Sequence, residues 1–317
     1  MSSIVVLGAS SFIGKALLNL QHLKVNIKAV SRAQPLDSLS KMSNITWYCA
    51  DLNKEGALDK ILEPSDLVVN LIYMHDQSSK DNELLLKCII DSCNKRKISR
   101  LVHCSTAGVV GVTDDIVVTE LSKRKPISLY EKTKCKLEDQ LCRSSHNFEL
   151  VILRPTAVIG VGGSSLVKLV GDLLYSGVVQ QYIKACVFGE RPMYLVAVNN
   201  VVAALIHLIY LPKRQHNEIY IISSDDDPAN NFKDVERILL KALGLKKRML
   251  PLIPFPRSLL SILLRIKGRS HFEMDRQYSS KKLISTGFDP KVTVSNAVHQ
   301  FGVSMRPLEQ IVRDTNE

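Results

Sequence analysis

The sequence predicts an α/β protein built on a doubly wound parallel sheet, with a smaller mixed α/β lobe attached to it. The chain opens on a short apolar run, Ile4 to Leu7, and a glycine turn and a helical pattern follow at once. Further apolar runs alternate with helical patterns, such as the segment from Asn82 to Asn94 with its leucines and isoleucine at helical spacing. Repeated strand and helix units of this kind are typical of a parallel sheet covered by helices on both faces.

Five strands are expected in order along the first half of the chain. They span residues 4–7, 26–30, 45–49, 66–71 and 100–106. Each run is short and mainly apolar, as a strand buried on both faces requires. Ligands of such sheets bind at the carboxyl ends of the strands, where we expect Gly8, Asp51, Leu71 and Thr106 to lie.

The turn between the first strand and the first helix is suited to binding phosphate. Gly8 permits the tight turn, Gly14 permits close packing of the helix, and free backbone N–H groups face the anion. Ser11 stands where such turns usually carry a middle glycine, so the backbone is expected to approach a pyrophosphate less closely. We expect the helix itself from Lys15 to Leu20. The pattern predicts a dinucleotide cofactor, and an ordinary strand-to-helix turn is the alternative.

The residues after the second and third strands bear on which dinucleotide is bound. Arg32 stands where a carboxylate would bind the ribose of NAD, and its guanidinium suits the 2′-phosphate of NADP. The alternative is a surface arginine that turns away from the site. Asp51 could contact the adenine edge, or it could cap a helix that begins near Lys54. The sequence therefore favours NADP over NAD.

Tyr130 and Lys134 form the pattern with the clearest chemical meaning. Leu137 and Leu141 continue a helical pattern through this segment, so side chains four residues apart share one face. An ammonium beside a phenol favours the phenolate, which eases proton exchange with a substrate oxygen near neutral pH. Alone, the pair also fits one face of a solvated helix.

Taken together with the segments 105–111 and 153–160, these motifs resemble the extended short-chain dehydrogenase/reductase family. The likeness runs from Ile4 to Phe301. The chain is most similar to the nucleotide-sugar subgroup, which comprises epimerases such as UDP-galactose 4-epimerase, dehydratases, and bacterial reductases of UDP-4-keto-sugars. The resemblance implies a Rossmann sheet, a dinucleotide cofactor and a substrate lobe.

The resemblance also implies roles for individual side chains. Tyr130 would be the general acid and base, and Lys134 would hold the nicotinamide ribose. Thr106 would donate a hydrogen bond to the reacting carbonyl, with Ser105 as the next substrate contact. Asn82 matches the asparagine that the family carries at the start of the helix before the fifth strand.

Cofactor contacts are implied at the glycine turn, at the strand ends and on the catalytic helix. These residues are Gly8, Ser10, Ser11, Phe12, Ile13, Gly14, Arg32, Asp51, Leu52, Leu71, Tyr130, Lys134 and Pro155. Arg191 and Arg269 are candidates for binding a substrate phosphate, and Arg191 is offset by two residues from the position of the family's arginine. A surface arginine is the alternative.

The function expected from these features is NADPH-dependent reduction of a nucleotide-linked 4-keto sugar in the synthesis of surface polysaccharide precursors. Tyr130 would supply the proton. An NAD-dependent UDP-hexose 4-epimerase is one alternative, and a non-catalytic NADP-binding sensor or assembly factor is another. A reductase of a steroid or flavanone-type ketone is a further possibility, because the substrate lobe departs most from the family pattern.

Composition narrows the class of protein and of partner. At 317 residues and 45% hydrophobic content, the chain can bury one sheet-based core and a smaller lobe. We expect residues 1–160 and 192–225 to bind NAD(P), and residues 161–191 and 226–317 to form the substrate lobe. The net charge of +11 suits a nucleoside diphosphate sugar, whereas the scattered basic residues and single Trp argue against nucleic acid.

The remaining expectations concern metals, compartment and association. Seven irregularly spaced cysteines predict free thiols in a reducing, cytoplasmic compartment and no metal site. A homodimer is also expected. No apolar run is long enough to span a bilayer, but the apolar segment 251–267 has cationic ends and could lie on an anionic membrane. A helix packed within the substrate lobe is the favoured alternative.

Overall fold

A seven-stranded parallel sheet forms the centre of the protein. The computed structural model describes residues 3–20, 25–32, 43–212, 217–245, 253 and 276–306. The strands are β1 (Ile4–Leu7), β2 (Ile27–Ser31), β3 (Ile45–Cys49), β4 (Leu67–Asn70), β5 (Arg100–Cys104), β6 (Val117–Val118), β7 (Glu149–Pro155), β8 (Ala157–Ile159), β9 (Leu195–Ala197), β10 (Glu218–Ile222) and β11 (Gln277–Tyr278). The central sheet has the order β10-β7-β5-β4-β1-β2-β3.

Helices cover both faces of this sheet and build the smaller lobe. They are α1 (Phe12–Leu18), α2 (Ser79–Arg96), α3 (Leu129–Arg143), α4 (Val167–Tyr175), α5 (Val178–Phe188), α6 (Val198–Ile209), α7 (Phe232–Ala242), α8 (Lys281–Ile284) and α9 (Val294–Ser304). The strand order reverses at β1, which lies between β2 and β4. The predicted doubly wound α/β fold is confirmed.

Strand β1 is buried on both of its faces, which explains its continuous apolar sequence. Its side chains alternate between two hydrophobic clusters: Ile4 and Val6 pack with α1 and α6, whereas Val5 and Leu7 pack with α2 and α3. All four residues are fully buried. Because helices cover both faces of this central strand, every one of its side chains must be apolar. The buried strand then gives the glycine turn that follows it a fixed starting point.

Helix α1 begins earlier than its sequence pattern indicated. Ser11 is the N-cap, and its Oγ accepts a hydrogen bond from the Gly14 backbone N–H at 3.1 Å. The helix therefore starts at Phe12, and the expected start at Lys15 is wrong. Capping by a serine hydroxyl satisfies one of the unpaired N–H groups at the helix start.

Two small parallel pairs and a third hydrophobic cluster lie beyond the main sheet. Strand β8 pairs with β9, and β6 pairs with β11. The third cluster combines side chains of α4, α7 and α9. The pairing of β6 with β11 brings Tyr278 next to Val118. A residue from late in the chain thereby reaches the carboxyl edge of the sheet.

No helix among the described residues has the length and apolar character that crossing a bilayer requires. The segment 251–267, for which membrane contact was considered, lies outside the described residues except for Ile253.

Candidate active site

The glycine turn after β1 is closely packed. Gly8 has a φ of +83°, a backbone conformation that side-chain-bearing residues rarely adopt. A Cβ atom on Gly14 would lie 2.5 Å from the Gly8 carbonyl oxygen and 2.7 Å from that of Ala9. Helix α1 therefore reaches the turn only because Gly14 has no side chain, as the sequence predicted.

A Gly14→Ala variant should consequently lose dinucleotide binding. The added methyl group must push α1 away from the glycine turn, where a pyrophosphate is expected to bind. We expect a lower melting temperature and no further stabilisation by NADP, measured by thermal unfolding with and without the nucleotide. Gly171→Ala is the matched control, since nothing lies within 4 Å of the added carbon. Normal stabilisation of the Gly14 variant by NADP would contradict this packing argument.

Two adjoining cavities open at the carboxyl ends of the strands. The smaller has a volume of about 230 Å³ and includes seven of the predicted cofactor-binding residues: Gly8, Ser10, Ser11, Arg32, Asp51, Leu52 and Leu71. The larger has a volume of about 640 Å³ and includes Ser11, Phe12, Ile13, Leu71, Ser105, Thr106, Tyr130, Lys134 and Pro155. Ser11, Leu71 and Tyr73 line both cavities. The arrangement suits one elongated ligand.

The smaller cavity has one cation at its edge. Arg32 is exposed there, and its carbonyl oxygen is 2.9 Å from the Cys49 sulfur. Asp51 is also exposed, and its Oδ1 accepts hydrogen bonds from the backbone and side-chain N–H groups of Asn53. No helix begins near Lys54, so the helix-capping alternative for Asp51 is wrong.

Tyr130 lies in the first turn of α3, at the larger cavity. Ser128 and Glu131 form a reciprocal capping box that fixes the start of this helix. Tyr130 and Thr106 both line this cavity. Burial raises the pKa of Tyr130 to about 12, and the nearby Thr106 hydroxyl only partly opposes this. Tyr130 is therefore a neutral phenol at neutral pH.

Lys134 lies one helical turn further along α3 and is buried. Its Nζ donates a hydrogen bond to the Cys104 carbonyl oxygen at 3.0 Å and lies 5.0 Å from the centre of the Tyr73 ring. Burial lowers the pKa of Lys134. The Lys134 side chain thus contacts a carbonyl oxygen and the Tyr73 ring. The expectation that Lys134 lowers the pKa of Tyr130 is wrong for this arrangement, because burial raises that pKa.

A buried ion cluster lies behind these two residues. Glu138, a further turn along α3, is fully buried and accepts two hydrogen bonds from Arg154, at 2.9 and 2.6 Å. Arg124 reaches the same carboxylate at 3.4 Å and binds Asp139 at 2.6 Å. Because Arg154 belongs to β7, this cluster fastens α3 to the sheet.

Two aromatic residues that were not predicted to be part of the site border Tyr130: Tyr73, and His75, which was expected to be a packing or surface residue. The Tyr73 ring meets the Tyr130 ring edge-on with a centroid separation of 4.9 Å. His75 stacks on Tyr130 at 6.0 Å and meets Tyr73 edge-on at 4.7 Å. Both residues follow the carboxyl end of β4, where ligands of such sheets bind. Their position in the sequence could therefore have predicted a place in the site.

Two further tyrosines line the far side of the larger cavity. Tyr194 and Tyr278 meet edge-on with a centroid separation of 5.4 Å. Tyr194 has a φ of +52°, which is uncommon for a bulky residue and typical of strain at a functional site. Asp225 accepts a hydrogen bond from the Tyr278 backbone N–H at 2.7 Å, and burial raises the pKa of Asp225 to about 7.

The predicted polar contacts at the reacting end lie together. Thr106 and Pro155 line the larger cavity. Ser105 lines it as well, and the buried Ser105 hydroxyl has no hydrogen-bond partner among the described residues. A buried hydroxyl that faces a cavity without a partner indicates a site built to receive a polar ligand.

Three of the predicted residues that the structure describes line neither cavity: Gly14, Asn82 and Arg191. Asn82 uses its side-chain amide to hold the loop after β4: its Oδ1 accepts from the Met74 N–H, and its Nδ2 donates to the carbonyls of Met74 and Ser78. We therefore correct its assignment from catalytic to positioning. Arg191 is exposed and does not line the larger cavity. Arg269 lies outside the described residues.

The residues present fit a nicotinamide dinucleotide. The close glycine turn can receive a pyrophosphate, the smaller cavity can receive an adenosine, and the pair Tyr130 and Lys134 stands where a nicotinamide ribose would extend. In the described ranges, no group of three or more His, Cys, Asp or Glu side chains is placed to hold a metal ion.

The sequence matches a known family over most of its length. The model of the 3-beta hydroxysteroid dehydrogenase/isomerase family matches residues 5–255. The chain belongs to this family. Membership of the 3-beta hydroxysteroid dehydrogenase/isomerase family also confirms the predicted relation to extended short-chain dehydrogenases/reductases. The prediction of an NAD(P)-dependent oxidoreductase or epimerase is confirmed at the level of the family.

Curated proteins that this chain resembles include a sterol dehydrogenase and a dihydroflavonol reductase. The decarboxylating sterol-4-alpha-carboxylate 3-dehydrogenase of Saccharomyces cerevisiae is 26% identical over 189 residues, 53% of this chain and 54% of that protein. Dihydroflavonol 4-reductase of Dianthus caryophyllus is 31% identical over 127 residues, 35% of each chain. The chain thus spans about half, or less, of the length of these relatives.

Solved structures share the fold over nearly the whole chain. UDP-glucuronic acid 4-epimerase from Bacillus cereus, in complex with NAD, is 18% identical, has a TM-score of 0.64 and covers 96% of both chains. At this identity, the likeness is one of fold. It shows that the family fold of this chain is also the fold of a nucleotide-sugar epimerase.

Proposed function

We propose that this protein is an NADPH-dependent reductase of a ring ketone, in which Tyr130 donates the proton to the oxygen that becomes a hydroxyl. The observation that carries this proposal is the Tyr130 phenol, which lines the larger cavity together with Thr106, next to the smaller cavity at the glycine turn. Thr106 and the unpaired Ser105 hydroxyl can both hydrogen-bond the substrate carbonyl. NADPH, when bound, supplies the hydride.

The pKa of Tyr130 supports the direction of reduction. A proton donor must carry its proton when the substrate arrives, and burial raises the pKa of Tyr130 to about 12. The phenol is therefore protonated throughout the physiological range, and transfer of its proton to a forming alkoxide is downhill. Oxidation of an alcohol would need the phenolate instead, which this environment disfavours.

The first candidate substrate is a nucleotide-linked 4-keto sugar, in the synthesis of surface polysaccharide precursors. Support comes from the fold, which UDP-sugar epimerases share over nearly their full length. The larger cavity, of about 640 Å³, has room for a nicotinamide and a sugar. An NAD-dependent UDP-hexose 4-epimerase has the same support, and tightly bound NAD in the purified protein would favour that alternative.

A neutral polycyclic ketone is the second candidate, and the lining of the larger cavity favours it. Lys134 is the only lysine or arginine among the described residues that line this cavity, although a diphosphate is usually bound by several cations or N–H groups. Tyr194 and Tyr278 provide aromatic surface instead. The two relatives are named for ring-containing substrates without a nucleotide, a sterol carboxylate and a dihydroflavonol.

A ligand-shift screen separates these candidates. Melting temperatures would be compared with NADP, NAD, UDP, GDP and dTDP, because a ligand that binds only the folded chain stabilises it by mass action. Stabilisation by NADP together with one nucleoside diphosphate supports the nucleotide-sugar candidate. Stabilisation by NADP alone supports the polycyclic ketone. Absence of stabilisation by either dinucleotide would overturn the proposed function.

NADP, rather than NAD, is proposed because Arg32 stands at the edge of the smaller cavity. In an Arg32→Glu variant, we expect NADPH affinity to fall about tenfold to a hundredfold, the equivalent of one hydrogen bond between charged groups. NADH affinity should change little. Fluorescence titration of both nucleotides measures this, with Arg143→Glu, on the exposed end of α3, as the control. Equal NADPH affinity in the variant and the parent would contradict the NADP assignment.

Three broader proposals accompany this function. The hydrophobic cluster of α4, α7 and α9 supports the division into a nucleotide-binding part, 1–160 and 192–225, and a substrate lobe, 161–191 and 226–317. All seven cysteines are free, which supports a reducing, cytoplasmic compartment. The homodimer stays a prediction.

A further inference from the structure

The reaction proposed above leaves Tyr130 without its proton after every turnover. Reduction of a ketone takes up one hydride and one proton, and the proton comes from the Tyr130 phenol. The next turnover can begin only after the phenolate has taken up another proton, which must come from the solvent. The rate of this step depends on a proton donor that lies near Tyr130 and is itself in contact with the solvent.

Lys134 and Asn82 are poorly placed to return this proton. Lys134 is only 4% exposed, and its Nζ donates a hydrogen bond to the Cys104 carbonyl oxygen. A carbonyl oxygen has no proton to give, so this contact opens no path from the solvent. Asn82 opens none either, because its side-chain amide is hydrogen-bonded to the backbone of Met74 and Ser78.

His75 differs from the other side chains of the larger cavity. Among the described residues that line this cavity, it is the only histidine, and no aspartate or glutamate is among them. Imidazole is the side-chain group that most readily both accepts and donates a proton near neutral pH. His75 is also exposed, so its ring can exchange protons with the solvent. These two properties are the ones that a proton donor to Tyr130 needs.

The His75 ring lies nearly parallel to the Tyr130 ring. Their planes differ by 10° and their centroids are 6.0 Å apart. The Tyr73 ring meets both rings edge-on, with centroid separations of 4.7 Å from His75 and 4.9 Å from Tyr130. Edge-on contacts of this kind are favourable and hold the three rings together. One bridging water between His75 and Tyr130 would complete a path for the proton, and such paths often tighten only when ligands bind.

The backbone next to His75 is held in place. The Met74 N–H donates a hydrogen bond to Asn82 Oδ1 at 2.9 Å, and the Met74 carbonyl accepts one from Asn82 Nδ2 at 3.1 Å. Both backbone polar groups of the residue before His75 are therefore bound by one side chain, which belongs to the first turn of α2. This contact fixes the position from which the imidazole reaches the cavity.

We infer that His75 returns a proton to Tyr130 after each reduction, an inference that rests on the proposed function. The imidazolium gives its N–H proton to the phenolate oxygen of Tyr130, and the neutral imidazole then takes a proton from the solvent. Each cycle consumes one ketone, one NADPH and one solvent proton, and it forms one alcohol and one NADP. Because His75 acts through Tyr130, the first reduction does not need it, since Tyr130 already carries a proton.

Rapid-mixing kinetics of a His75→Ala variant test this inference. NADPH oxidation would be followed with cyclohexanone, a 3-keto steroid, a dihydroflavonol and a UDP-linked 4-keto hexose, and the ketone that the parent reduces would be used throughout. With enzyme in excess, the first turnover should proceed at the parental rate. With ketone in excess, the steady-state rate should fall at least about tenfold. Imidazole added to the solution should restore the steady-state rate of His75→Ala and leave that of the parent unchanged.

His299→Ala is the matched control, because His299 is exposed on α9 and lines neither cavity. Both of its rates should be parental, with and without imidazole. NADPH affinity, by fluorescence titration, and the melting temperature should be parental in both variants.

Three outcomes would overturn the role of His75 alone. A slower first turnover of His75→Ala would show instead that His75 holds the substrate. A parental steady-state rate, or a loss that imidazole does not restore, would show that the proton reaches Tyr130 by another path. Failure of the proposed function looks different, because the parent would then reduce none of the four ketones, or the Tyr130→Phe variant would reduce them as the parent does.

Discussion

A Tyr130→Phe variant is expected to lose about 10²- to 10⁴-fold in the rate of ketone reduction, the usual contribution of a general acid. The phenol is the proposed proton donor, and Tyr130 lines the larger cavity together with Thr106. Removal of one oxygen leaves the ring contacts with Tyr73 and His75 possible. NADPH oxidation, followed by absorbance with a panel of cyclic ketones, measures the loss.

Dinucleotide binding separates loss of chemistry from loss of structure. The Tyr130 variant should bind NADPH within a few-fold of the parent, because the glycine turn and Arg32 are the proposed contacts of the other end of the cofactor. Tyr210→Phe is the control, since Tyr210 is an exposed tyrosine at the end of α6, outside both cavities. Unchanged reduction by the Tyr130 variant would contradict the catalytic role, and the non-catalytic sensor or assembly factor would then be the better account.

The second large effect concerns stability. An Arg154→Met variant should lower the free energy of unfolding by about 3–5 kcal/mol, the usual result of removing one partner from a buried ion pair. Glu138 is fully buried, and the Arg154 guanidinium donates two hydrogen bonds to it. Arg124, at 3.4 Å, would be left as the weaker remaining partner. Urea unfolding at neutral pH, followed by circular dichroism, measures the change.

Two comparisons identify the cause of that loss. The double variant Arg154→Met, Glu138→Leu removes the unpaired charge together with its partner, so it should recover much of the lost stability. Lys87→Met breaks an exposed pair with Asp91 on α2 and should change stability little. If the single Arg154 variant unfolds at the same urea concentration as the parent, the buried pair does not fasten α3 to the sheet.

The parts of the fold that local patterns encode could be predicted from the sequence. Strand β1 and the glycine turn depend on neighbouring residues: a four-residue apolar run, then Gly8 and Gly14 at the spacing that a close turn requires. Tyr130 and Lys134 share a helical face for the same local reason. The start of α1 was misplaced because the Ser11 hydroxyl caps the helix, and a serine in a loop and a serine at a cap look alike in sequence.

The parts that depend on distant residues could not be predicted. Tyr194 and Tyr278 are 84 positions apart, and they meet because β8 pairs with β9 and β6 pairs with β11. Asn82 occupies the expected helical position, but its side-chain amide is hydrogen-bonded to the backbone of Met74 and Ser78. The pKa of Tyr130 depends on burial, which the spacing of Tyr130 and Lys134 does not reveal.

The central claim is that one dinucleotide spans both cavities and ends beside Tyr130. A crystal structure of the protein with NADP tests this most directly. We predict the adenosine 2′-phosphate against Arg32, the pyrophosphate at the turn between Gly8 and Gly14, and the nicotinamide ribose within hydrogen-bonding distance of Tyr130 and Lys134. A dinucleotide bound elsewhere, or a nicotinamide directed away from Tyr130, would contradict the account.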